Sequence, residues 1–235
     1  MKPPGGAGIM TPMQTPPFPH ESTTLTLAGP VGPLEVAVDL PDGDTASRPV
    51  IAVICHPLSI EGGSMHNKVV TQAARALRDL GITTVRFNFR SVGASAGTYD
   101  NGIGETDDLH AVFNWVRSQC PHSTLWLAGF SFGAYVSLRA AGALRPQALI
   151  SIAPPMGRRT WDFSQVQPPL NWLVIQGDAD EVVDAQAVYQ WLEALERPPQ
   201  LVRMPDTSHF FHRKLIDLRG VIQHEVRRWL PDSSS

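Results

Sequence analysis

Apolar residues gather along the chain into eight short runs of five to seven residues, separated by polar or periodic segments. The runs are Thr23–Leu27, Leu34–Leu40, Val50–Cys55, Thr83–Phe89, Thr124–Ala128, Ala148–Ala153, Leu170–Gln176 and Gln200–Met204. Stretches such as V-I-A-V-I-C at Val50–Cys55 lack the alternation of a half-exposed strand, and predict strands covered on both faces. Longer segments predict helices at Asn67–Leu80, Gly104–Ser118, Phe132–Gly142, Ala185–Leu195 and Leu215–Trp229. Such alternation implies an α/β fold with a mainly parallel central sheet and helices on both faces, the first two strands forming an antiparallel edge hairpin. A single domain from residue 21 to 235 accommodates all these elements, and no internal repeat interrupts them. Between Ala153 and Leu170 stands only P-P-M-G-R-R-T-W-D-F-S-Q-V-Q-P-P, too short and too proline-bounded for a helical cap. The site of this fold is therefore expected to be open and shallow.

Composition changes this picture little. A formal net charge of −3 and a hydrophobic share of 43% leave no basic face for nucleic acid. Residues 1–20 are rich in Pro, Gly, Thr and Met with almost no charge, and are expected to form a disordered tail or an arm draped on the surface. No apolar run approaches the roughly 18–20 residues that span a bilayer, and the N-terminus lacks a secretory core, so the expected compartment is the cytoplasm. The two cysteines, Cys55 and Cys120, are expected to be free thiols.

Candidate chemistry begins at Gly129–Gly133, G-F-S-F-G, which follows the fifth apolar run and opens a small-residue helix. A sharp strand-to-helix turn of this type needs glycine on both sides, because Cβ atoms there would clash. It lifts the Ser131 hydroxyl clear of the backbone and leaves the Phe132 amide at a helix start, ready for a developing oxyanion. A serine hydroxyl needs a base, and the base an orienting carboxylate, in the chain order Ser, acid, His. The seventh run leads into Gly177-Asp178-Ala179-Asp180-Glu181-Val182-Val183, at a strand's carboxyl end. Asp180 is the candidate acid, with Asp178 second, since Asp178 suits a turn. The eighth run leads into Pro205-Asp206-Thr207-Ser208-His209, and His209 is the candidate base in preference to His212. The second oxyanion amide is expected after the third run, in H-P-L-S-I-E-G-G-S. Pro57 has no N–H, so Leu58 is the candidate donor, with His56 bracing the loop. Trp161 and Phe163 are candidates for an acyl-side wall, with simple anchoring onto the sheet as the alternative. Arg158 and Arg159 are read as a solvated pair in preference to an anion contact.

The segments H-P-L-S-I-E-G-G-S-M-H-N-K-V-V, R-F-N-F-R-S-V-G-A-S-A-G, G-F-S-F-G, G-D-A-D-E-V-V and S-H-F-F together resemble the small bacterial serine α/β-hydrolases, lidless relatives of esterases and dienelactone hydrolases. The likeness runs from about Leu34 to Leu230. It implies an α/β-hydrolase fold, a nucleophile at Ser131, an acid at Asp180, a base at His209 and oxyanion amides near Leu58 and Phe132. The mechanism these placements give needs no cofactor or metal, and the open site is expected to take small or short-acyl esters. One departure is Ser91, where such proteins commonly carry glycine in an F-R-G-V-G loop. Dienelactone hydrolases use cysteine as nucleophile, so Ser131 argues against that activity. Thioester hydrolysis, acyl transfer or perhydrolysis on the same residues, and a non-catalytic scaffold, remain open alternatives.

Overall fold

The structure is a computed structural model that describes residues 15–157 and 160–231. Its eight strands are β1 (Thr23–Gly29), β2 (Gly32–Asp39), β3 (Val50–Cys55), β4 (Thr83–Phe87), β5 (Thr124–Phe130), β6 (Ala148–Ile152), β7 (Asn171–Gly177) and β8 (Gln200–Met204). They form one sheet in the order β1-β2-β4-β3-β5-β6-β7-β8. The edge hairpin β1–β2 and the β2–β4 pair are antiparallel, and every other pair is parallel. The expected α/β-hydrolase architecture is the observed one. Arg158 and Arg159, and residues 1–14 of the expected tail, lie outside the described residues. The end of that segment is pinned: Trp115 Nε1 donates to the Pro16 carbonyl at 2.8 Å, and the Phe18 ring stacks on Trp115 at 5.3 Å.

Helices α1 (Lys68–Arg78), α2 (Ile103–Gln119), α3 (Phe132–Leu144), α4 (Ala185–Glu193) and α5 (Leu215–Val226) cover both faces. Consecutive strand residues point to opposite faces, so the buried β3 divides its side chains between two cores. Val50, Ala52 and Ile54 pack with α1 and α5, whereas Ile51, Val53 and Cys55 pack with α2, α3 and α4. The starts of α1 and α4 are set by side chains that satisfy free amides. Asn67 accepts from the Val69 amide ahead of α1, and Asp184 from the Gln186 and Ala187 amides at α4.

The apolar pattern carries the fourth strand to Phe89, two residues beyond its observed end at Phe87. The Asn88 amide still donates to the Glu35 carbonyl of β2, but side-chain bonds take over from there. Asn88 Oδ1 accepts from the Met65 amide and its Nδ2 donates to Glu35, while the Phe89 amide donates to His56 Nε2. Between β6 and β7 the described residues form no helix or strand, so no described element of that segment caps the carboxyl ends of the central strands.

Candidate active site

The fifth strand runs into α3 without a linker, and Ser131 between them has φ 52° and ψ −118°. That backbone is unfavourable for a residue with a side chain and is held by close packing. A Cβ on Gly129 would stand 2.2 Å from the Gly133 carbonyl oxygen, and one on Gly133 would stand 2.3 Å from that of Cys55. Both glycines of G-F-S-F-G are therefore required for the turn. The Ser131 amide donates to the Ile152 carbonyl at 2.9 Å, fixing the turn against β6.

Three loops at the carboxyl ends of β5, β7 and β8 meet at this serine. His209 Nε2 lies 3.0 Å from Ser131 Oγ, and His209 Nδ1 lies 2.8 Å from Asp180 Oδ2. With Nδ1–H donating to the carboxylate, Nε2 is left free to accept a hydrogen bond from the Ser131 hydroxyl. The side chains of His209 and Asp180 are 2% and 0% exposed. Asp180 Oδ1 accepts from the Val182 and Val183 amides at 2.9 and 2.7 Å, and Gln176 Nε2 donates to Oδ2 at 2.9 Å. Burial is the strongest influence on the Asp180 carboxyl and works to raise its pKa. Hydrogen bonds from His209, Val183 and Val182 outweigh it and hold the group below the usual carboxylate value.

Asp178 sits apart from this chain, exposed at the turn, its amide donating to the Met204 carbonyl. His212 is also exposed. The loops carrying Asp180 and His209 are tied together: Ala179 N–H donates to Thr207 O, and Glu181 Oε2 accepts from the His209 amide at 3.0 Å. Glu181 is a site residue that spacing does not single out, although it adjoins Asp180 in the acidic run.

The third-strand loop lies on the other side of Ser131. His56 is fully buried; its Nδ1–H donates to the Pro57 carbonyl at 2.6 Å and its Nε2 accepts from the Phe89 amide at 3.0 Å. These two partners specify a neutral imidazole. Burial pushes its pKa down to about 4, against the weaker upward pull of the Pro57 carbonyl. Behind it the loop folds tightly, with Glu61 and Gly63 amides donating to Leu58 O, and a Cβ on Gly63 would stand 2.2 Å from Pro57 O. Leu58 and Ser131 border the same small cleft of about 60 Å³, with Asn67, Val182, His209 and Phe210. The Phe132 amide is the first of α3 and has no intrahelical acceptor.

Trp161 and Phe163 do not border that cleft. They are 7% and 6% exposed and pack on α3 and α4, with Trp161 5.4 Å from Phe132 and Phe163 5.1 Å from Tyr135 and 5.9 Å from Trp191. Of the two readings of these rings, this packing favours the anchor over the substrate wall: burying them against Phe132, Tyr135 and Trp191 removes more apolar surface than facing an open cleft would. Phe210 and Val182 supply the cleft's apolar rim instead. A much roomier concavity, about 770 Å³, lies among 166–170, Trp172 and 195–199. It is at the amino-terminal ends of β7 and β8, away from Ser131, Asp180 and His209.

Comparisons with known proteins agree with this architecture. The model of the X-Pro dipeptidyl-peptidase (S15) family matches residues 33–167. A crystal structure from Xanthomonas campestris, described as an α/β serine hydrolase without lid, is 75% identical, covers 94% of this chain and 100% of its own, and has a TM-score of 0.91. An α/β serine hydrolase homologue from Coxiella burnetii is 44% identical over 88% of this chain and 98% of its own, with a TM-score of 0.82. An uncharacterized protein of Rickettsia prowazekii is 34% identical over 72% of this chain and 75% of its own. The chain belongs to the family that the S15 model describes and, with these relatives, to the α/β serine hydrolases without a lid.

Proposed function

We propose that the protein hydrolyses small or short-acyl carboxylic esters through an acyl-enzyme on Ser131. The observation that carries this reading is the hydrogen-bonded chain Ser131 Oγ–His209 Nε2 and His209 Nδ1–Asp180 Oδ2, at 3.0 and 2.8 Å, beside an uncapped cleft. His209 takes the Ser131 proton as the oxygen attacks the ester carbonyl, and Asp180 holds the imidazole tautomer and stabilises its cationic form. The amides of Leu58 and Phe132 receive the charged oxygen. His209 then protonates the leaving alcohol, and water repeats the sequence to release the acid. The residues named here require no metal or organic cofactor. The small cleft favours short acyl groups over long chains.

The test is hydrolysis of p-nitrophenyl acetate and butyrate by wild type and Ser131→Ala. A rate that falls by several orders of magnitude in the variant is expected, and equal rates would refute the reading. Thioesters and added alcohols, with product analysis, separate the thioesterase and acyl-transfer variants of the same chemistry. A second reading, removal of a dipeptide from a peptide amine, follows from the S15 family model and from Glu61, which offers a carboxylate at the cleft to a terminal ammonium. Release of nitroaniline from a Gly-Pro anilide faster than from the acyl esters would favour it.

A further inference from the structure

Beside the cleft that holds Ser131 is a second concavity of about 300 Å³, and the two share Asn67 and Phe210 as common walls. Lys68, His212 and Arg213 also line it, and no acidic residue does. All three side chains are exposed, and none is in an ion pair with a described acid. Lys214, the next residue, differs in having Asp217 at 3.6 Å. The nearby acids are otherwise engaged or elsewhere: Glu181 accepts from the His209 amide, and Glu61 borders only the first cleft.

The loop that presents His212 and Arg213 is held in an unfavourable backbone. Phe211 and Arg213 have φ of 54° and 59°, a region that side-chained residues occupy only where their surroundings impose it. Between them and the base stands Phe210, 51% exposed, its ring edge-on to both His209 and Phe130. Lys68 adds its charge at the first turn of α1, where the helix amides contribute further positive potential. An exposed aromatic face thus leads from Ser131 to the unpaired Lys68 and Arg213, with the His212 ring beside them.

We infer that this second concavity is an anion subsite for the reacting ester. It receives a carboxylate carried on the acyl or the alcohol arm, with the connecting carbons along Phe210 and the charge among Lys68, His212 and Arg213. The inference rests on the reading of Ser131 as the nucleophile.

Two pairs of esters matched in shape test it. p-Nitrophenyl hexanoate and the mono-p-nitrophenyl ester of adipate place the charge on the acyl arm; 3-tolyl acetate and 3-acetoxybenzoate place it on the alcohol arm. In wild type, kcat/KM for the charged member of one pair is expected to exceed its neutral partner by about fivefold at low ionic strength, with the ratio shrinking as salt is added. Lys68→Gln and Arg213→Gln should each lower that ratio about threefold at low salt, as expected for partly screened charges. Ratios at or below one in both pairs, or unmoved by salt and by both substitutions, overturn the subsite while leaving the hydrolase reading in place. A wild type that cleaves no member of either pair overturns the hydrolase reading and the subsite with it.

Discussion

Gly133 lies against Cys55 so closely that any side chain would meet the β3 carbonyl, its Cβ 2.3 Å from the oxygen. The start of α3 and the end of β3 are thereby locked at one separation, which sets how near the Leu58 and Phe132 amides come to each other. Gly133→Ala is expected to destabilise the protein by about 1–3 kcal/mol, the usual range for overpacking, and to lower its melting temperature by roughly 2–4 °C per kcal/mol. Ester hydrolysis should fall by more than tenfold even well below that temperature. Thermal unfolding together with kcat on a p-nitrophenyl ester checks both.

The two aspartates of the β7 loop should behave very differently. Asp180→Asn leaves the shape but loses the tautomer control of His209, and kcat is expected to fall by about 10³–10⁴. Asp178→Asn, on an exposed turn, should change kcat by less than about twofold. The reverse ranking would move the orienting role to Asp178.

A pH effect on stability follows from His56. Its folded pKa of about 4 lies below the ordinary 6.5, so the unfolded chain binds a proton first as pH falls. His56 therefore contributes stability that is complete above about pH 6.5 and is lost between there and pH 4, by about 3 kcal/mol in all. Urea unfolding at several pH values should show this slope in wild type and its absence in His56→Gln. Identical slopes in the two would contradict it.

Ser91 adopts φ 70°, the left-handed region that favours glycine. No hydrogen bond of its hydroxyl compensates among the described residues. Ser91→Gly should stabilise the fold by about 0.5–1 kcal/mol, the relief of left-handed strain being partly offset by the freer unfolded chain. A drop in melting temperature would show that the serine side chain contributes more than its backbone loses.

Strands buried on both faces are legible because their composition is continuous and apolar; all eight lie within a few residues of the expected runs. The main overshoot, at Asn88 and Phe89, comes from residues that look strand-like but bond to Met65, Glu35 and His56 side by side with the sheet. The elbow is legible because glycine, serine and glycine occur at fixed offsets. Asp180 and His209 are legible because strand ends confine the search to a few positions. Trp161 and Phe163 are different. A ring in a loop has no period, and whether it faces substrate or core depends on Tyr135 and Trp191, which are distant in the sequence. Phe210, Val182 and Asn67 border the cleft from three separate loops, so only the folded arrangement brings them together.

The bare segment between β6 and β7 has a kinetic corollary. Enzymes that close a lid spend substrate binding energy on the movement, and often wait for it to reopen. Here no described element between β6 and β7 has to swing aside before a substrate reaches the cleft. Turnover should then follow the acylation and deacylation chemistry, and remain insensitive to added viscogen.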